Sequence, residues 1–172
     1  EYTLNPASSD ASFRRYFRVT HDGASYIVMD APPDREDTRP FVSVDRLLFD
    51  VGLNVPEIID ENPEEGYLLL GDLGSSLYLN VLNGDNVERL YGDALAALAA
   101  IQICRPGDGV LPPYDRELLM TEMQLFRDWL VGKHLGIELP GADANALASA
   151  CDLRADIALA QPQVVVHRDF HS

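Results

Sequence analysis

Residues 12–29 read SFRRYFRVTHDGASYIVM and form the clearest structural pattern in the 172-residue chain. Two runs rich in aromatic and β-branched residues, Ser12–Val19 and Ser25–Met29, flank an Asp22-Gly23 pair. Such runs are typical of β-strands, and Asp-Gly between them is typical of a tight hairpin turn. The sequence therefore predicts two antiparallel strands, the second of which ends before Pro32-Pro33.

One amphipathic helix and two further strands are predicted next. Apolar residues recur at helical spacing through Phe41–Val51, and Gly52 supplies a C-cap. Strands at Val55–Asp60 and Tyr67–Leu70 follow, separated by a polar turn that contains both Pro and Gly. The front of the chain is therefore predicted to be mainly a sheet with one helix.

Helices dominate the chain after Gly74. Apolar periodicity and capping residues predict four of them, at Leu77–Leu82, at Val87–Ile103, from the N-cap Asp115 onwards, and at Ala142–Leu159. A short apolar strand, Val164–Val166, is predicted to come last. A sheet-rich front followed by a helical back indicates an α+β fold.

Composition and charge exclude several classes of function. The chain has 28 Asp and Glu against 13 Lys and Arg, with a formal net charge of -15. This negative charge would repel a phosphate backbone, so nucleic acid is not expected as a partner. The sequence shows no disulfide framework, no signal peptide and no long apolar run, so we expect a cytoplasmic protein without membrane contact.

The residues with the most recognisable chemistry are His167-Arg168-Asp169. They match the first half of the kinase catalytic loop H-R-D-x-x-x-x-N, in which the Asp accepts a proton from the attacking hydroxyl and the Asn holds a metal ion. The Asn of the pattern would lie beyond Ser172. A bare triplet of this kind often occurs by chance, but here it follows a hairpin, a helix and a helical block in the order of a kinase.

Seven segments spread over nearly the whole chain carry a resemblance to a known family. They are SDASFRRYFR (9–18), VMDAPP (28–33), Glu36-Asp37, GLNVP (52–56), LLLGDLG (68–74), LPPYD (111–115) and HRDFH (167–171). Together they resemble the bacterial anomeric sugar kinases of the aminoglycoside-phosphotransferase superfamily. These kinases phosphorylate N-acetylmuramate and N-acetylglucosamine at the anomeric hydroxyl for cell-wall recycling. The first two segments are the specific part of the resemblance.

The resemblance implies a two-lobed, protein-kinase-like fold. Residues 1–73 would form an N-lobe of antiparallel sheet plus one helix, with a nucleotide-binding hinge at 70–74, and residues 75–172 a helical C-lobe truncated at the catalytic loop. It also implies ATP and Mg²⁺ as cofactors and a small amino sugar as substrate. The metal ligands are expected beyond Ser172, so this chain alone is expected to be inactive.

The resemblance also implies roles for single residues. Asp169 would be the general base, and His167 would support the loop that carries it. Backbone groups of Gly71 and Leu73 would meet the edge of adenine. The alternative for the last two residues is an ordinary strand end.

Two departures from kinase patterns affect the phosphate site. Residues 7–12 contain no Gly, so hydroxyls of Ser9 and Ser12 are candidates for phosphate contacts, with plain turn formation as the alternative. The strand that should carry a phosphate-binding Lys has none, so Arg14 or Arg15 is expected to supply the positive charge. The alternative for both arginines is a solvated strand face.

Three other functions stay open. His167, Asp169 and His171 alternate and could face a transition metal in a metal-dependent hydrolase. The missing strand Lys would fit a pseudokinase used as a binding module. Within the kinase class, the acceptor could instead be an aminoglycoside, choline or homoserine hydroxyl, because one phosphate-handling core serves many acceptors.

Overall fold

The computed structural model of the chain describes residues 2–9 and 12–171. Their contacts form two units, one made of the chain up to Val110 together with the segment that starts at His167, and the other made of Leu111–Val166. The first unit contains a sheet and helices, and the second is helical. The predicted lobes, 1–73 and 75–172, remain a prediction, because contact units do not define functional lobes.

Five antiparallel strands form one sheet in the first unit. They are β1 (Tyr2–Ser9), β2 (Arg15–His21), β3 (Ala24–Asp30), β4 (Ile58–Asn62) and β5 (Tyr67–Gly71). Their spatial order is β1-β2-β3-β5-β4, so β5 lies between β3 and the edge strand β4. The predicted antiparallel sheet is confirmed.

The predicted hairpin is formed by β2 and β3. The two strands pair without interruption from Arg15 opposite Asp30 to His21 opposite Ala24. Asp22 and Gly23 form the turn, with φ of 49° and 82°. Positive φ at both turn residues matches the twist of paired strands, and Asp-Gly adopts it at low cost.

The core of the first unit lies between the sheet and helix α1 (Arg39–Asp50). Its buried members are Met29, Ala31, Val42, Leu68 and Leu70, and the side chains of Tyr16, Ile27, Phe41 and Ile58 pack against them. Burying each large apolar side chain contributes roughly 1.5–3 kcal/mol relative to leaving it exposed. The predicted amphipathic helix is confirmed, and it starts two residues earlier than predicted because Pro40 is tolerated in its first turn.

Gly66 lets the turn before β5 approach β3 closely. Its φ is +77°, and the Ala31 N–H donates to its carbonyl oxygen at 2.9 Å. A Cβ at this position would lie 1.9 Å from the Ala31 carbonyl oxygen, a backbone atom that cannot move aside. Only glycine fits here, for both conformational and steric reasons.

The predicted helices are present in both units. The first unit contains α2 (Tyr78–Val81) and α3 (Val87–Ile103), and the second contains α4 (Arg116–Leu125), a π-helical continuation (Phe126–His134) and α5 (Gly141–Leu159). Asp115 is the N-cap of α4, as predicted, and its carboxylate accepts from the Leu118 N–H at 3.0 Å. Within the described residues, none of the helices is both long and apolar enough to cross a membrane.

Three details differ from the sequence-based expectations. Val164–Val166 is not a strand, because a β-branched run forms one only beside a pairing partner, and this run joins no ladder of the described sheet. Strand β1 was not predicted, because Pro6 interrupts its pattern, and such a residue is tolerated at the sheet edge that β1 occupies. The π-helical segment carries no distinguishing sequence pattern.

Candidate functional site

The predicted phosphate-binding residues lie where β1 leads into β2. Ser9 is the last residue of β1 and pairs with Arg15, but the Ser9 side chain lies outside the described part of the structure. The Ser12 hydroxyl accepts hydrogen bonds from the Arg14 N–H at 3.2 Å and from Arg14 Nε at 3.0 Å. Ser12 therefore shapes the turn before β2, which is the alternative role, while holding the Arg14 guanidinium close to its own hydroxyl.

Arg15 faces a carboxylate on the neighbouring strand. It lies directly opposite Asp30, and its guanidinium forms an ion pair with the Asp30 carboxylate. The Asp30 side chain is 10% exposed, whereas that of Arg15 is 64% exposed. Since side chains alternate along a strand and Tyr16 packs in the core, Arg15 lies on the sheet face opposite α1. A phosphate bound by Arg15 would have to compete with Asp30.

The predicted hinge, residues 70–74, begins in the last two residues of β5 and continues beyond them. The Gly71 N–H donates to the Glu57 carbonyl oxygen at 2.8 Å, so any contact between Gly71 and adenine would have to use the Gly71 carbonyl oxygen. The Leu73 N–H has no acceptor in residues 2–9 and 12–171, and the Leu73 side chain is exposed. Leu73 thus presents a backbone donor that a ligand can use.

Asp72 lies between these two residues and is held by a cluster of hydrogen bonds. Its carboxylate accepts from Arg18 Nε at 2.6 Å, from Arg18 Nη2 at 3.0 Å and from the Ser25 hydroxyl at 2.6 Å. It also accepts from the Gly74 N–H at 2.9 Å. We call Arg18, Ser25, Asp72 and Gly74 the Asp72 cluster. The cluster joins β2, β3 and the predicted hinge.

The electrostatics of the cluster follow from these contacts. Hydrogen bonds from Arg18, then from Ser25 and the Gly74 amide, hold the pKa of the Asp72 carboxyl far below its usual range. Burial of the Asp72 side chain, which is 7% exposed, opposes this effect but is the weaker influence. Asp72 is therefore ionised at any pH at which the protein would work.

The sequence predicted no role for the Asp72 cluster. Its one local signal is the spacing Asp72-Leu73-Gly74, because an Asp side chain often accepts from the backbone N–H two residues ahead. No local pattern connects Asp72 to Arg18 or Ser25, which are brought to it by strand pairing.

The catalytic-loop segment, His167–His171, has an unusual backbone. Arg168 has a φ of 73°, and the Asp169 N–H donates to the His167 carbonyl oxygen at 3.0 Å. This combination is a γ-turn with positive φ at its centre, the rare and strained form of that turn. The ring of His167 meets that of Phe170 edge-on at 5.3 Å between centroids. His167 and Asp169 are both exposed, so the segment presents the Asp169 carboxylate to solvent.

The hydrolase alternative would require metal ligands that converge. Among the described residues, no group of three or more His, Cys, Asp or Glu side chains is arranged to hold a metal ion. His167, Asp169 and His171 therefore do not form the metal site that the alternating pattern suggested. That the Mg²⁺ ligands of a kinase lie beyond Ser172 stays a prediction.

The second unit has a separate concave surface between α4 and α5. Its cavity of about 550 Å³ is lined by apolar side chains together with the polar side chains of Tyr114, Glu122, Arg154 and Gln161. The Tyr114 hydroxyl donates to Glu122 at 2.5 Å. None of the residues predicted for the nucleotide or catalytic site lines this cavity.

Comparison with known proteins supports the kinase hypothesis. A model of the phosphotransferase enzyme family matches residues 3–172. Two Pseudomonas proteins named N-acetylmuramate/N-acetylglucosamine kinase are similar to the chain. The P. aeruginosa protein is 51% identical over 167 residues, and the P. putida protein is 48% identical over 168 residues. A protein of the same name from Neisseria meningitidis is 39% identical over 175 residues.

These matches cover almost all of this chain but only part of each relative. They include 97%, 98% and 99% of the chain, and 49%, 49% and 52% of the respective relatives. The chain thus spans about half the length of the curated relatives it matches.

Proposed function

Because this chain belongs to the phosphotransferase enzyme family, we propose that it forms the nucleotide-binding part of an ATP-dependent amino-sugar kinase. The whole protein would phosphorylate the anomeric hydroxyl of N-acetylmuramate or N-acetylglucosamine, in the recycling of cell-wall sugars in the cytoplasm. The observation that carries this proposal is the 51% identity with a kinase of that name over 97% of the chain.

Asp169 is the proposed general base of the reaction. The anomeric hydroxyl would attack the γ-phosphate of ATP in line, and the Asp169 carboxylate would take the hydroxyl proton as the new P–O bond forms and the bond to ADP breaks. An exposed carboxylate suits this role, since it has to reach a substrate atom. His167, whose ring contacts Phe170, would support the loop.

ATP would lie along the end of the sheet. The Leu73 N–H is the proposed donor to adenine N1, and the Gly71 carbonyl oxygen the proposed acceptor from its amino group. Arg14, Arg15 and the hydroxyls of Ser9 and Ser12 are the proposed phosphate contacts, with Asp30 as the competing partner of Arg15. Mg²⁺, when bound, would neutralise charge that develops on the transferred phosphoryl group.

The finer architecture is also a proposal. Residues 1–73 would be the N-lobe, the hinge would occupy 70–74, and residues 75–172 would belong to the C-lobe and end in the catalytic loop. In support, one helix packs on a five-stranded antiparallel sheet before the hinge, and helices predominate after it. A kinase of the same family with an aminoglycoside, choline or homoserine acceptor is the second candidate.

A direct assay tests the proposal. The whole protein would be incubated with ATP and Mg²⁺ and with each candidate acceptor in turn, and the products followed by phosphorus NMR. We expect a sugar 1-phosphate from N-acetylmuramate or N-acetylglucosamine, and no product from choline, homoserine or an aminoglycoside. Residues 1–172 alone should form no product if the Mg²⁺ ligands lie beyond Ser172, as proposed. Phosphorylation of another acceptor in place of the amino sugars would contradict the proposed substrate.

A further inference from the structure

The Asp72 cluster fixes the backbone on both sides of Leu73. Before Leu73, the Asp72 carboxylate accepts four hydrogen bonds, two from Arg18, one from Ser25 and one from the Gly74 N–H. After Leu73, the Gly74 N–H is held by Asp72, and the Gly74 carbonyl oxygen accepts from Arg18 Nη2 at 3.2 Å. Both backbone groups of Gly74 are therefore bound within the cluster. Gly74 has a φ of +86°, a conformation that glycine adopts without strain.

Leu73 itself contributes no contact that would explain this rigidity. Its side chain is 57% exposed, and its N–H finds no acceptor in the described part of the chain. Ordinary exposed loops are mobile, and their unpaired N–H groups bind water in varying orientations. Here a free backbone donor is held in one orientation by its neighbours, which is how a protein prepares a hydrogen bond to a ligand.

The ion pair in the cluster is unusual for this chain. Among the ion pairs of the described residues, only Arg18 and Asp72 both have side chains less than one-third exposed, at 31% and 7%. Burying an ion pair costs desolvation energy that roughly cancels its attraction, so such a pair adds little net stability. Its bidentate geometry nevertheless allows only one arrangement of the two groups. Position, rather than stability, is what the pair supplies.

We propose that Arg18, Ser25 and Asp72 are positioning residues that orient the Leu73 N–H and thereby make the site selective for adenine over guanine. The inference rests on the proposed ATP-binding function. Adenine offers an acceptor at N1 next to a donor at its amino group, which matches a donor at Leu73 and an acceptor at Gly71. Guanine offers a donor at N1 and an acceptor at O6. Its N1–H would face the Leu73 N–H, and its O6 would face the Gly71 carbonyl oxygen. A rigid backbone cannot rotate to avoid these two repulsive contacts.

A less rigid hinge should therefore discriminate less between ATP and GTP. In the whole protein, Arg18→Lys keeps the charge but loses the bidentate fork, and Ser25→Ala removes one of the four hydrogen bonds to Asp72. The affinities for ATP and GTP would be measured by calorimetric titration, and the KM for the amino sugar by initial rates. We expect the ATP-to-GTP affinity ratio to fall about 10-fold in Arg18→Lys and about 3-fold in Ser25→Ala. The KM for the amino sugar should stay within about 2-fold.

The matched control is Arg89→Lys, which alters an exposed ion pair with Asp93 at 3.4 Å on α3. It should leave the nucleotide ratio unchanged. If both cluster variants lower the melting temperature but keep the wild-type ratio, the cluster is merely structural and the inference is overturned. Should Arg18→Lys fail to fold, the Ser25→Ala ratio alone decides.

The same titrations separate this inference from the proposed function. If the wild-type protein binds ATP selectively but phosphorylates no amino sugar, the proposed acceptor is wrong and the cluster experiment still decides the inference. If the wild-type protein binds ATP and GTP equally, the inference is overturned even when the amino sugar is phosphorylated.

Discussion

The Asp72 cluster lies beside the proposed adenine contacts, and the catalytic-loop segment carries the proposed general base. The two regions are held in different ways. Asp72 is nearly buried and accepts four hydrogen bonds from residues on two strands and the hinge. Asp169 is exposed, and its described backbone contact is local, to His167 two residues earlier. The proposed adenine contacts are therefore positioned by the sheet, whereas the proposed general base, Asp169, depends on a strained turn.

This difference predicts where mutations affect folding and where they affect chemistry. A change in the exposed Asp169 should remove a catalytic group without loosening the core. A change at the turn that supports β5 should instead weaken the first unit as a whole, because β5 contributes Leu68 and Leu70 to the core.

The largest effect is expected for Asp169→Asn in the whole protein. Turnover with N-acetylmuramate, ATP and Mg²⁺ should fall by roughly 10²-fold or more, the usual scale for the loss of a positioned general base. ATP affinity should persist, because the proposed adenine contacts are made by Gly71 and Leu73 and not by Asp169. Steady-state rates and ATP titration measure both quantities. The control is Asp108→Asn, a change at another exposed loop carboxylate, which should leave turnover unchanged. Near-normal turnover in Asp169→Asn would contradict the assignment of residues 167–171 as a kinase catalytic loop.

Gly66→Ala should destabilise the first unit by at least about 2 kcal/mol, since it adds a backbone clash to an unfavourable positive φ. Gly52→Ala is the matched control, because Gly52 has a similar φ of +81° but nothing within 4 Å of the added Cβ. That variant should lose only about 1–2 kcal/mol. Denaturant unfolding followed by circular dichroism compares the two. Equal losses would show that the approach of Gly66 to Ala31 is not limiting.

Arg14→Ala and Arg15→Ala should each raise the KM for ATP several-fold, about 1 kcal/mol of lost binding, if their guanidinium groups contact phosphate in the ground state. The effect should be smaller for Arg15, whose charge is already paired with Asp30. Initial rates at varied ATP concentration separate the two residues. An unchanged KM in both variants would mean that the arginines only form a solvated strand face.

The smallest effect concerns the pH dependence of stability. Because the folded-state pKa of Asp72 is lowered, its contribution is fully present above its unfolded pKa of about 3.9 and is lost as the pH falls towards the folded value. Wild-type protein should therefore lose unfolding free energy more steeply than Asp72→Asn below about pH 4. Asp45, whose pKa is raised by burial, has the opposite effect but is common to both proteins. Parallel pH profiles would show that the cluster is not linked to folding.

Much of the fold could be predicted from local patterns. The β2–β3 hairpin, helix α1 and the N-cap Asp115 each depend on residues that are close in the sequence. Their signals are side-chain periodicity, turn conformation and a capping hydrogen bond, all of which act over a few residues. The chain's family was likewise identifiable from short segments, of which residues 9–18 and 28–33 are the specific part.

Other features depend on long-range pairing and could not be predicted this way. Val164–Val166 has the composition of a strand, yet strand formation requires a neighbour to complete its hydrogen bonds. Asp72 meets Arg18 and Ser25 across 54 and 47 residues of sequence, because β2, β3 and β5 are neighbours in the sheet. Local patterns determined which elements form. Only the pairing of those elements decided that Arg18 and Asp72 meet beside Leu73, because contacts between residues so far apart leave no periodic pattern in the sequence.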